Sequence, residues 1–181
     1  MKDGKEISHW ADHLVKEQLE NEPNERMKYI IAGLFGTGAR VGEFVLLKKK
    51  DIDYADQTTK NILLTTVKTF KNRNHHERIL PLHTNSEGWF VSIIIDWANK
   101  QTNPEGYLLP GKKPGTHLTK RRVEQLLRKR YNIHPHLLRH SRSTYNYNIR
   151  KFTDAQNMFF MGWSDLQPAH IYTHFKWSDL V

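Results

Sequence analysis

Three kinds of side chain stand where they could do chemistry: arginine, histidine and tyrosine. Gly38-Ala39-Arg40-Val41-Gly42-Glu43 sets an arginine just after a glycine break, at the start of a helical stretch. His136-Leu137-Leu138-Arg139-His140 puts His136 and Arg139 three apart on one helical face, with His140 four from His136 on the same side. Tyr172 lies between Ile171 and Phe175 near the C-terminus, flanked by His170 and His174. A guanidinium offers a rigid fork of donors to anionic oxygens. An imidazole moves protons near neutral pH, and a phenol becomes a nucleophile once its proton is drawn off.

These residues need elements to hold them. Met27, Ile30, Ile31, Leu34 and Phe35 recur at helical steps, which predicts a helix over 24–35, capped by Asn24 and ended by Gly36 and Gly38. A short helix is expected from Val41 to Leu47. Residues 61–69 and 76–82 are rich in β-branched types and read as two strands joined by a polar turn around Lys71–His75, with Asp51–Tyr54 as a third strand. Glu87–Lys100 carries Phe90, Ile93, Ile94 and Trp97 on one side of a helix. Thr119 caps a helix that aligns Val123, Leu126, Leu127 and Tyr131, and Pro135 opens one running to Arg150. Thr153–Met161 and Pro168–Phe175 complete the helices, while Leu108–Gly115, with its prolines and glycines, is a loop. The expected fold class is mainly α with a small three-stranded antiparallel β-sheet. There is no βαβ alternation and no glycine-rich phosphate loop.

Composition narrows the function classes. The 181 residues fit one domain with a real core, and 38% hydrophobic with 26% charged residues describes a folded, polar chain. There is no cysteine, which excludes disulfides, thiol catalysis and cysteine-ligated metals. No apolar run approaches the roughly 18 residues that span a bilayer, and MKDGKEISHW has no apolar signal core. No membrane partner and a cytoplasmic setting are therefore expected. His134, His136 and His140 raise a metal site, but there is no HExxH motif, so neither a metal nor another cofactor is expected. Net charge is +9, gathered in islands at Lys48-Lys49-Lys50, Lys68 to Arg73, Lys112-Lys113, Lys120-Arg121-Arg122 and Arg128-Lys129-Arg130. A polyanion, nucleic acid first, is the implied partner. Trp10, Trp89, Trp97 and Trp177 read as packing residues.

The motifs together resemble the tyrosine recombinase (phage integrase) family over residues 8–176. ARVGE at 39–43 is similar to the first arginine box, and a lysine-bearing hairpin ends in RILPL at 78–82. HLLRHS at 136–141, MGW at 161–163 and IYTH at 171–174 follow in the family's order. The hairpin is slightly longer than the family's.

The resemblance implies roles. Arg40 and Arg139 would bracket the non-bridging oxygens of a phosphodiester and stabilise a pentacoordinate phosphorane. Tyr172 would be the nucleophile, His136 would handle its proton, and a hairpin lysine would protonate the 5′-oxygen leaving group. Lys68, in Val67-Lys68-Thr69, fits that lysine better than Lys71, because a strand places a side chain better than a turn. Trp163 stands where most relatives have histidine and would donate its indole N–H to a phosphate oxygen. Glu43 would hold Arg40 or the His136 loop, and His140 would support. Lys48, Lys49, Lys50, Lys120, Arg121 and Arg122 are candidates for DNA-backbone contacts.

The implied function is site-specific DNA cleavage and rejoining through a 3′-phosphotyrosyl intermediate, without metal or ATP, in integration or excision of a mobile element. The alternatives are a topoisomerase or resolvase with the same chemistry, or a silent DNA-binding regulator on this scaffold. Double-stranded DNA is the expected partner, with a homotetramer on DNA for the full-length protein and a monomer for this piece alone. Residues 1–181 read as a single catalytic domain with a short tail from 176 to 181, lacking the family's N-terminal DNA-binding domain. Trp177 and Leu180 could anchor that tail on a neighbouring protomer.

Overall fold

The computed structural model describes residues 9–53, 59–65 and 77–163. Tyr54, Lys68, Lys71, the 71–75 turn, the 168–175 helix with Tyr172, and the 176–181 tail lie outside the described residues.

The centre is α2 (Glu25–Thr37), whose side chains from Tyr29 to Thr37 are all buried. Asn24 caps it by accepting from the Met27 N–H, as expected. Its end differs from expectation: Gly36 lies within the helix, against Phe90, and Gly38 alone stops it in the left-handed region at φ 58°. A helix that must approach Phe90 this closely has no room for a Cβ at Gly36, so the glycine serves packing and not termination. Around α2 pack α4 (Thr84–Asn99) and α6 (Pro135–Asn148), with α1 (Asp12–Asn21) against α2 and α4.

The sheet follows α3 (Val41–Phe44) and a single 3-10 turn, Lys49–Asp51. It comprises β1 (Ile52–Asp53), β2 (Thr59–Thr65) and β3 (Glu77–His83), antiparallel in the order β1-β2-β3. Ile52 pairs with Ile62 and Ile62 with Leu80, and all three are buried, so one rung of the sheet is apolar on its inner face. Period-2 alternation puts Arg78, Leu80 and Leu82 on that inner face and leaves Ile79 outside. Pro81 is tolerated because β3 is an edge strand.

Several bounds move. The α3 helix stops at Phe44, short of Leu47, and continues as turns in which Leu46 and Leu47 donate to Glu43 and Phe44. The Leu47 carbonyl is instead taken by the Leu108 N–H, which draws the chain toward the loop. The β2 strand starts at Thr59, two residues earlier than expected. The α4 helix begins three residues early because the buried Glu87 carboxylate accepts from the His83 N–H at 3.1 Å and caps the new terminus.

Beyond the loop, α5 (Lys120–Tyr131) is capped by Thr119, α6 carries Pro135 in its first turn, and α7 (Asp154–Met161) is capped by Thr153 and ended by Gly162 at φ 62°. The α6 helix ends at Asn148, before Arg150. Trp10, Trp89 and Trp97 pack on the core, and the Trp97 indole also donates to the Leu108 carbonyl at 2.7 Å.

Candidate active site

The site grows from two helix ends. Both α2 and α7 stop at a left-handed glycine, Gly38 and Gly162, and so present their last carbonyls at the C-terminal, negative end of a helix dipole. Two guanidiniums fill that negative space. Arg139, buried on α6, donates Nη2 to the Met161 carbonyl at 2.6 Å and Nη1 to the Gly38 carbonyl. Arg40 donates Nη2 to the Gly162 carbonyl at 3.3 Å. Arginines nearly a hundred residues apart in the chain thus converge on one junction.

Glu43 fixes Arg40 from behind. Its Oε2 accepts from the Arg40 backbone N–H at 2.9 Å and its Oε1 from Arg40 Nη1 at 3.1 Å, a capping box at the start of α3. Burial pushes this carboxyl up, but Arg78, the Arg40 N–H, the Arg40 guanidinium and Arg139 together hold it below its usual value. Toward Arg40, Glu43 makes both a backbone and a side-chain bond; toward the His136 segment, it feels the charge of Arg139.

His136 opens on the exposed side of the first turn of α6, and its ring stacks on His140 at 5.6 Å and 18°. Burial lowers its basicity, and Arg139, His134 and Arg40 lower it further. His140 is pushed down to about 4 by burial, then by His136, Arg139, His134 and His9. Both imidazoles are therefore held toward the neutral form. Among the described residues, no three of His, Cys, Asp and Glu come together as a metal-ligating group. Trp163 follows Gly162 directly, half-buried against the core, and its backbone N–H closes the α7 terminus on the Met158 carbonyl at 3.0 Å.

The basic islands divide. Lys48 and Lys50 pair with Glu105 at 3.1 and 2.8 Å, and Lys49 donates to the Gln101 carbonyl at 2.8 Å. Lys120, Arg121 and Arg122 are exposed on the first turn of α5. Lys120 and Arg40 line one cleft of about 580 Å³, floored by Val41 and Leu46 with His117 and Thr119 beside them.

The phage integrase family profile matches residues 9–178, nearly the whole chain. The chain belongs to the phage integrase family. Its relatives include tyrosine recombinase XerC of Staphylococcus epidermidis, 30% identical over 163 residues that cover 86% of this chain and 51% of that protein. Tyrosine recombinase XerC of Oceanobacillus iheyensis is 26% identical over 161 residues, covering 83% and 49%. The chain spans about half the length of these relatives. Among solved structures, XerH site-specific recombinase bound to palindromic difH substrate, in a post-cleavage complex, superposes with TM-score 0.71 at 22% identity, covering 97% of this chain and 52% of that one. XerA recombinase gives 0.69 at 22% identity, covering 95% and 60%. These likenesses establish the mainly helical catalytic fold of tyrosine recombinases. Among the described residues, no helix is long and apolar enough to cross a membrane.

Within this integrase-family site, Arg40, Glu43, His136, Arg139, His140 and Trp163 come together among the described residues, and Lys68, Lys71 and Tyr172 lie outside them. Sequence reasoning overlooked Arg78, which pairs with Glu43 at 3.2 Å from the inner face of β3. Its signal was present: in Arg78-Ile79-Leu80-Pro81-Leu82 the arginine shares parity with the two leucines that must face inward. Also overlooked was the fully buried Arg142, paired with Glu87 at 2.8 Å.

Proposed function

We propose that this chain carries the strand-cleavage and rejoining chemistry of a site-specific DNA recombinase. The observation that carries the reading is the convergence of Arg40 and Arg139 on the Gly38 and Gly162 helix ends, with His136 and Arg139 on the same helix. In this reading the two guanidiniums bracket the scissile phosphate and stabilise the charge that builds on its oxygens. The Tyr172 oxygen bonds to phosphorus while the bond from phosphorus to the 5′-oxygen breaks. His136 takes the phenol proton and Lys68, or Lys71, supplies one to the departing 5′-oxygen. Trp163 donates its indole N–H to a phosphate oxygen. Rejoining reverses the step with a 5′-hydroxyl as nucleophile, so the ester energy is kept and neither ATP nor metal takes part.

Double-stranded DNA is the proposed substrate, in keeping with the charge of +9 and with the DNA-bound recombinases of the same fold. Lys120, Arg121 and Arg122 extend the Arg40 cleft as backbone contacts; Lys48, Lys49 and Lys50 would join them only by leaving Glu105 and Gln101. The proposed setting is the cytoplasm, in integration or excision of a mobile element, as a tetramer on DNA in the longer protein and a monomer as this piece alone.

The test is covalent capture on supercoiled plasmid with EDTA present, comparing this chain with Tyr172→Phe. The expected result is relaxation plus a protease-sensitive DNA adduct, both lost in the variant. Equal relaxation by both proteins removes Tyr172 as the nucleophile, and adduct formation that EDTA abolishes removes the metal-free mechanism.

A further inference from the structure

Arg78 occupies a place that packing alone does not explain. It is 5% exposed, on the inner face of β3, where Leu80 and Leu82 are its apolar neighbours in register. Its Nη2 lies 3.2 Å from Glu43 Oε2. Its other end is pressed on the Gly162 backbone: a Cβ there would stand 2.2 Å from Arg78 Nη1 and 2.9 Å from Cζ. Nε and Nη1 have no hydrogen-bond partner among the described residues. A buried guanidinium with unmet donors is a poor stabiliser, and an apolar residue of like volume would serve the core better. Two of its contacts, however, are the groups that seat Arg40: the Glu43 carboxylate, and the glycine whose carbonyl accepts from Arg40 Nη2.

The charge count explains the arrangement. Were Glu43 paired with Arg40 alone, its full negative charge would oppose that guanidinium's attraction for an anion. With Arg78 on Oε2, the carboxylate is shared, and the Arg40–Glu43–Arg78 triad carries one net positive charge. That surplus is available only at Arg40, whose side chain is 26% exposed, against 5% for Arg78.

We propose that Arg78 is a positioning residue of the cleavage reaction, balancing Glu43 and bracing Gly162 so that Arg40 is fixed without being neutralised toward the phosphate. The proposal rests on the cleavage reading above.

Two measurements test it, on wild type, Arg78→Met, Glu43→Gln and the double variant. The first is a carbon NMR titration of the Glu43 carboxyl, which needs no DNA. Arg78→Met raises its midpoint; an unchanged midpoint overturns the proposal. The second is the rate of adduct formation on supercoiled plasmid. Arg78→Met is expected to slow it by about tenfold or more, below the roughly 100- to 1000-fold of losing a direct transition-state donor, because Arg78 acts through Arg40. In the Glu43→Gln background the same change is expected to cost less than about threefold, because a neutral residue 43 needs no balancing. A wild-type rate for Arg78→Met, or an equal loss in both backgrounds, overturns the proposal. If Arg78→Met fails to fold while the double variant folds, the charge coupling is shown by that difference. If neither folds, Arg78 is a structural residue and the proposal falls. A wild type that forms no adduct removes the cleavage reading, and the titration still decides on Arg78's hold over Glu43.

Discussion

Arg142→Met isolates one buried charge. The guanidinium carbon of Arg142 lies 4.9 Å from the ring of Phe160, 5.1 Å from Tyr145, 5.3 Å from Phe90 and 5.7 Å from Phe35. Its partner is Glu87, 1% exposed, at 2.8 Å. None of its nitrogens makes a well-aligned hydrogen bond, so charge and aromatic faces hold it. Methionine keeps the stem that underlies Gly38 and removes the guanidinium with its charge. Glu87 is then left with the His83 N–H at 3.1 Å and Arg150 at 3.9 Å. Breaking a buried pair from one side costs about 3–5 kcal/mol. The surviving partners place this case at the low end, about 3 kcal/mol. For a chain of this size that is a fall in Tm of about 6–12 °C, read by circular dichroism. The Glu87→Gln/Arg142→Met variant keeps the His83 cap without the orphaned charge and should recover to within about 1–2 kcal/mol of wild type. A single variant that melts within about 2 °C of wild type, or a double variant that melts below the single one, refutes the reasoning.

Two further outcomes follow from the same geometry. Gly162→Ala puts a Cβ 2.2 Å from Arg78 Nη1 at a φ of 62°, so it should cost about 1–3 kcal/mol and slow adduct formation by about tenfold or more as the Arg40 seat shifts; melting and plasmid assays together check it, and wild-type values in both would contradict it. Protein stability should fall as pH drops from about 6.5 toward 4, because burial and cationic neighbours hold His140 at about 4 and His136 below its usual value. The sign follows from protonation: both imidazoles bind protons more weakly folded than unfolded, so the contribution is complete above the unfolded value and is lost on acidification. His140 is only partly buried, so its share is discounted to about 1–2 kcal/mol; urea melts at pH 7 and 5 read it, and His140→Asn should flatten that difference.

The residues with chemistry were legible because their signals are local. A glycine break before Arg40, the three-residue step from His136 to Arg139, and the caps Asn24, Thr119, Thr153 and Pro135 all act within a turn or two of the chain. The three-strand sheet was legible for the same reason, through β-branching. Helix α1 was not, because it buries only Val15 and Leu19 and its N-cap, Ala11, offers no side-chain bond. The early start of α4 was hidden by Glu87, a carboxylate that reads as surface and is buried as both a cap and an ion-pair partner.

The harder distinction is between Arg139 and Arg142, three apart on α6 and both buried. Neighbouring sequence treats them alike, and only long-range pairing separates them. Arg142 meets a full carboxylate, which cancels its charge inside the aromatic cage. Arg139 meets carbonyls from residues 38 and 161, which carry partial charges only. Those carbonyls orient Arg139 through partial charges, and the Glu43 carboxylate adds its field. Arg40 is treated similarly, with Gly162 orienting one nitrogen and Glu43 shared with Arg78. In the cleavage reading proposed above, a phosphate-binding arginine needs fixed direction together with charge. The two left-handed glycines supply it by turning helix ends toward the guanidiniums in place of acids.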